Sequence, residues 1–314
     1  MATQVLPGEA FLNKYYLDER LRMYLEPALY FNGKLPTKTT TSRSFIYDVQ
    51  DNTAAQDIAD GVMTLPLPTD ESAGLTELKM TEISERKGRA LSLGYRVPVS
   101  PEKLTEQVRA ESEIDLITSK MAYGISYKAN KLILDTLYNG ATSSSYSPGA
   151  TWATSTDILK DIIEVWYEMK QPAYANRAIN WFLNTVNHKE MVEHLNDLDI
   201  DFQLNDNVLT IPNKPQLSQM EFMDVEDQMT EGNGLIMDLR GGAIYPGAEV
   251  YRYIEPDHAV RALDGDGNPT NNFTGIHVNV DVLTKKPFTR YIEMWINLVP
   301  VIKNDDVILK QAGI

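Results

Sequence analysis

The chain has 314 residues, 43% hydrophobic and 23% charged, with a formal net charge of −15 and a pI near 4.7. This composition fits one large or two modest folded domains, and 44 acidic against 29 scattered basic residues argue against a groove that grips nucleic acid by its phosphates. Cysteine is absent, which excludes disulfides, thiolate metal ligands and thiol nucleophiles and points to an intracellular origin; there is also no apolar run of membrane-spanning length and no secretory signal pattern.

Along the chain, residues 17–30 place Leu21, Leu25 and Leu29 on one face of a short helix, with Pro27 expected to disturb its end. The Thr-rich stretch FNGKLPTKTTTSRS reads as an extended arm. Residues 46–75 are Asp-rich and punctuated by proline, a loop too long for the inside of a compact domain. Residues 76–99 read as a hairpin: LKMTEI, a polar turn SERKGR containing Gly88, then the clean alternation ALSLGYRVPV. Such a hairpin is marginal by itself and needs a partner.

The strongest signal is a helix over 101–139. Ser100 is placed to cap it, Pro101 suits its first position, and Leu104, Val108, Ile114, Ile117, Met121, Ile125, Leu132 and Leu137 form its stripe. Asn139-Gly140 stops it after about 55–60 Å; Gly124 marks a bend or a close approach. A small-residue loop follows at 141–155. A helix then starts at Asp157, carries Ile158, Ile162, Val165, Trp166 and Met169, and ends at Pro172. Residues 178–196 give a strand and then a helix, and 197–255 hold short strands. Residues 256–275 read as a polar loop. GIHVNVDVLT and YIEMWINLVPVIK are strands, and DDVILKQ closes the chain.

Candidate chemistry is thin. His188 and His194 are six apart, which puts them on different faces of a helix, so a solvated helix face is preferred to a zinc site. Asp264-Gly-Asp266-Gly-Asn268 opens like a calcium loop, but Pro269 and Gly275 stand where that motif needs Gly and Glu; a polar hairpin loop is the better reading and an adventitious cation the lesser one. No catalytic or metal-ligating constellation stands out and no cofactor motif is present. Arg86, Lys87 and Arg89 form the densest basic cluster, suited to a charged contact with an acidic neighbour.

The order of these elements, with ELKMTEISERKGRALSLGYRVPVSPEKLTEQ (77–107) feeding a long helix, resembles the major capsid proteins of tailed double-stranded-DNA viruses, the Hong Kong 97-type fold shared with encapsulins. The resemblance implies an α+β chain: an N-terminal arm (1–45), an extended E-loop hairpin (46–99), a peripheral or P-domain with the spine helix and a sheet (100–149 and 256–290), a mixed α/β axial or A-domain (150–255) and closing C-terminal strands (291–314). It also implies a structural protein and no enzyme: hexamers and pentamers of an icosahedral or prolate shell around a double-stranded DNA genome, assembled in a host cytoplasm. Portal, scaffolding or decoration proteins are its expected partners, without sequence-specific DNA binding or a membrane. The chain opens at the arm, so the scaffold is expected to be a separate protein or none, and no crosslinking Lys–Asn pair can be placed. The expected intersubunit contacts are Tyr15, Tyr16, Leu21 and Leu25 of the arm, Arg86, Lys87 and Arg89 of the loop tip, and Leu91, Leu93 and Tyr95 of the loop strand. An encapsulin-type compartment is the first alternative, an enzyme or ligand-binding domain with an unrecognised site the second.

Overall fold

The computed structural model describes residues 7–32, 34–50, 83–141, 145–147, 152, 158–170, 179–213, 217–238, 247–265, 268–282, 290–303 and 308–314. Helix α1 (Lys14–Ala28) is followed by strands β1 (Thr37–Thr40), β2 (Ser44–Gln50), β3 (Ile83–Arg89) and β4 (Leu91–Val99). The long helix α2 (Gln107–Gly140) comes next, then β5 (Ser145–Tyr146), α3 (Ile158–Lys170), β6 (Ile179–Leu183) and α4 (Thr185–Asp197). Strands β7 (Gln203–Asn205), β8 (Val208–Thr210), β9 (Met220–Asp224), β10 (Asn233–Asp238) and β11 (Ala248–Tyr253) follow. Strands β12 (Ala259–Leu263), β13 (Pro269–Val282), β14 (Arg290–Ile302) and β15 (Ile308–Ala312) complete the fold.

The long helix starts later than its sequence suggests. Pro101–Leu104 forms a 3-10 turn, in which Thr105 Oγ1 donates to the Glu102 carbonyl and Leu104 is fully buried. The pinned turn breaks the helical path, so α2 runs for 34 residues from Gln107, or about 51 Å. Val108, assigned to the buried stripe, is instead 81% exposed. The rest of the stripe faces inward, and α1 lies against it with Leu17, Leu21 and Leu25 buried. Pro27 is accommodated in the last turn of α1. Asn130 of α2 completes that helix end. Its Nδ2 donates to the Ala28 carbonyl at 2.8 Å, and its Oδ1 accepts from the Tyr30 amide at 3.1 Å. It thereby satisfies backbone groups that the end of α1 leaves open.

Two sheets flank this frame. The first runs β1-β11-β14-β13-β12, with β4 also paired to β14, and its apolar face packs on α2. The second runs β5-β15-β10-β6-β9-β8-β7. Its central strands are buried on both faces, which is why INWFL and GLIMD read as continuous apolar runs rather than alternations. Phe182 joins the core around α2 and packs on Phe31 with ring centroids 4.8 Å apart, while Trp181 and Leu183 join Ile158, Ile162, Val165, Met191 and Leu195 of α3 and α4. The chain passes from the first sheet to the second between β4 and β5 and returns between β10 and β11. The closing segment is shared, since β14 lies in the first sheet and β15 in the second.

Three further stretches differ from the expectation of their sequence. SERKGR is not a turn: β3 pairs along its whole length with β2, in the register Ser44↔Arg89 to Gln50↔Ile83, while β4 pairs with β14. The strand looks polar because most apolar residues of the ribbon, Phe45, Ile46, Tyr47 and Val49, sit on its partner, and β3 adds only Ile83. Residues 256–275 are not a loop but contain β12 and the start of β13, a hairpin that exposes Arg261, Leu263 and Phe273. His188 is not solvated; with Asn187, Met191 and Leu195 it forms the buried face of α4. Residues 51–82, Asp157, Pro172 and Asp266 lie outside the described residues.

Candidate intersubunit surface

The β2–β3 ribbon has one face toward the body and one toward solvent. Gly88 stands directly across from Phe45, and a Cβ there would come within 2.7 Å of the ring, so the glycine lets the aromatic lie flat across the ribbon. Phe45 in turn stacks on Tyr251 of β11, with ring centroids 4.3 Å apart and 21° between planes. Tyr47 sits beside the same ring, and Lys303 Nζ lies 5.6 Å over Tyr47. Close by, Glu249 is buried and paired with Lys38 at 2.7 Å. Burial first, and then Glu249, push the Tyr251 hydroxyl up to about 12, so it stays neutral. The aromatic stack fixes the base of the ribbon on the first sheet.

The other ribbon face is free of the body. Ile46 is 60% exposed there, with Lys87 directly across from it and Arg89 on the same side. Arg86 is paired across from Tyr47, on the opposite side, and is exposed as well. The three cations therefore lie along one exposed strand but on two faces, Lys87 and Arg89 beside Ile46 and Arg86 beside Tyr47, rather than at a loop tip. On β4, Leu91 is exposed and Leu93 is half-buried. Tyr95 crosses to α2, where a Cβ on Gly124 would meet its ring at 2.6 Å; Gly124 thus serves a close approach. Lys128 covers the ring from 4.5 Å.

The arm residues divide differently. Leu21 and Leu25 are buried in this subunit's own core, so they are not presented to a neighbour. Tyr15 and Tyr16 are half-buried against the same core; Tyr16 packs on Phe11 at 5.2 Å and beneath the Arg20 guanidinium. Sequence reading misses Asp18, which is buried and holds Arg22 and the Thr274 hydroxyl, the latter at 2.8 Å. Burial raises its carboxyl above the usual range, against the pull of those partners. The four-residue spacing of Leu21 and Leu25 is legible in the sequence; that the same helix also buries an aspartate is not.

His188 and His277 are both buried, and burial lowers both imidazoles. His277 Nε2 accepts the Glu255 amide at 2.9 Å, and the ring stacks on Trp295 at 5.4 Å. Asp264 and Asn268 flank the connection between β12 and β13, where Asp264 Oδ1 accepts the Asn268 amide at 2.7 Å. Among the described residues no group of three or more His, Asp or Glu is placed to hold a metal.

No protein-family model and no curated protein matches the chain. Solved structures do. A virus-like particle from Pyrococcus furiosus aligns at a TM-score of 0.57 and 11% identity, over 95% of this chain and 98% of the other. The holo-SrpI encapsulin complex of Synechococcus elongatus aligns at 0.55 and 12%, over 100% and 92%. The capsid of the cyanophage P-SCSP1u aligns at 0.52 and 8%, over 89% and 86%. The chain has the Hong Kong 97-like capsid fold.

Proposed function

We propose that this chain is a structural subunit of a closed protein shell: a major capsid protein whose hexamers and pentamers enclose a double-stranded DNA genome. The observation that carries the proposal is the extent of the fold likeness, which spans 98% of the Pyrococcus furiosus particle subunit. Physical chemistry points the same way. A two-stranded ribbon with exposed Ile46 and three exposed cations is marginal alone, and a neighbour's surface would bury what the free subunit exposes. A net charge of −15 suits a container that should not adhere to its polyanionic contents. On this reading the site is an assembly surface, not a catalytic one. The ribbon cations, Leu91, Leu93, Tyr95 and the half-buried Tyr15 and Tyr16 contribute to it. The protein resides in a virion assembled in a host cytoplasm, with portal, scaffolding or decoration proteins as further partners.

A second reading, an encapsulin-type compartment, draws on the likeness to the Synechococcus elongatus complex, which covers all of this chain. Particles purified from the native source and treated with nuclease separate the two. Protected double-stranded DNA supports the capsid; a protein cargo without DNA supports the compartment. Reversing the charge of Arg86, Lys87 and Arg89 together should abolish particles in a chain that still folds, and unchanged assembly would remove the ribbon from the contact surface.

A further inference from the structure

The face of the first sheet turned away from α2 carries Trp295 among polar side chains. Trp295 of β14 lies between His277 of β13 and Gly94 of β4 in the pairing register. Its ring contacts, His277 at 5.4 Å and His258 at 5.3 Å, are both on the β13 side. On the β4 side Gly94 has no side chain, and a Cβ there would collide with β14 at Met294 and Trp295. A cavity of about 440 Å³ opens at this point, bordered by Ser92, Gly94, Arg96, Glu255, Glu293 and Trp295.

The two carboxylates of the cavity are not equivalent. Glu293 is committed within the sheet: it accepts Arg96 at 3.0 Å and Asn279 at 2.8 Å, and the Arg96 guanidinium lies over Tyr291. Glu255 is held in place by its own amide, which donates to His277, and by its carbonyl, which accepts the Ala259 amide. Its carboxylate forms no ion pair among the described residues. An indole beside an unpaired carboxylate matches a guanidinium, which is planar, stacks on aromatic faces and bonds a carboxylate through two N–H groups.

Resting on the shell reading above, we infer that the Trp295–Glu255 cavity is the acceptor for a ribbon arginine of a second copy of this chain, Arg86. The occupant follows from charge and position. The chain is strongly acidic, and the ribbon carries its densest exposed basic cluster. Of the two guanidinium groups on β3, Arg86 lies farther from the junction at Ala90, where the ribbon meets the body, and it is exposed on the Tyr47 side of the ribbon. Arg86 and Glu255 do not pair within one subunit, and on the shell reading their contact is heterologous, repeating from copy to copy as ring closure requires.

The absence of cysteine makes the test clean. The full chain carrying Arg86→Cys and Glu255→Cys is assembled in the presence of a short bis-maleimide crosslinker and run on a denaturing gel. A ladder of covalent oligomers is expected, with each single-cysteine variant giving no species beyond a dimer. Particles that form without a ladder, or a crosslink confined to single chains, overturn the inference and leave the shell reading intact. A wild-type chain that never forms particles removes the shell reading and this inference with it. A charge exchange gives an independent readout. Glu255→Arg and Arg86→Glu should each reduce particle yield about tenfold with unchanged melting, and the combined chain should recover it. Single variants that assemble like wild type, or a combined chain that recovers nothing, overturn the pairing.

Discussion

The long helix and the ribbon are joined by a single strand, β4, yet they are stabilised in opposite ways. Helix α2 buries Ile114, Met121, Ile125, Ala129 and Leu134 among side chains of the same subunit. The ribbon buries little beyond Phe45, Tyr47 and Val49, and turns Ile46 and its cations to solvent. A buried leucine contributes roughly 1.5–3 kcal/mol to folding, while an exposed ribbon contributes almost nothing until something covers it. The helix is therefore the element that determines whether the subunit exists, and the ribbon the element that, on the shell reading, a neighbour stabilises further.

The contrast can be broken most strongly in the core. Leu134→Ala should cost about 3 kcal/mol of unfolding free energy, read by chemical denaturation, because the 1% exposed side chain leaves a cavity between α2 and its neighbours. Asn130→Ala should cost about 1–3 kcal/mol, since it strands the Ala28 carbonyl and the Tyr30 amide together. A loss well below that range would mean that the helix end is satisfied by solvent. Phe45→Ala should cost the isolated subunit only about 1 kcal/mol, yet it should lower particle yield far more, because the Tyr251 stack fixes how the ribbon leaves the body. Equal effects on stability and assembly would erase the distinction between the two regions.

The smallest effect is in pH. His188 and His277 have folded values pushed below the ordinary imidazole value by burial. The unfolded chain therefore binds protons that the folded one resists. Stability should be constant above neutrality and fall as the pH drops below about 6.5, levelling off once the folded imidazoles titrate. Asp18 and Glu190 are raised and act in the opposite sense, nearer the carboxylate range. His277→Gln, whose amide oxygen can still accept the Glu255 amide, should flatten the fall, while the lost Trp295 stack lowers stability evenly across the range; an unaltered slope would place the effect elsewhere.

Sequence pattern is enough for most of α2, for the strand β4 before it, and for the strand-helix unit β6-α4, because each follows from period; the Ser100 cap fails, since its side chain makes no capping bond and α2 starts at Gln107. It fails for β3, whose apolar complement is on β2, beyond the long Asp-rich segment and therefore invisible to local alternation. It fails for His188 in a different way: the i, i+3, i+7 series His188, Met191, Leu195 is present, but a histidine draws attention to its chemistry rather than its position. The proposed contact residues are half legible. The three ribbon cations and Tyr95 are on the surface, whereas Leu21 and Leu25, which look like part of a free arm, are held by α2. Trp295 and Glu255 are out of reach, since they lie far apart in the chain and only the β13–β14 register, through His277, brings them to one place.

Assembly of the unmodified chain is the most direct test of the shell reading. Negative-stain electron microscopy of the purified protein, taken through a range of salt and concentration, should show closed shells or rings of five and six subunits. Monodisperse monomers under every condition, with the ribbon protected from proteolysis, would contradict it.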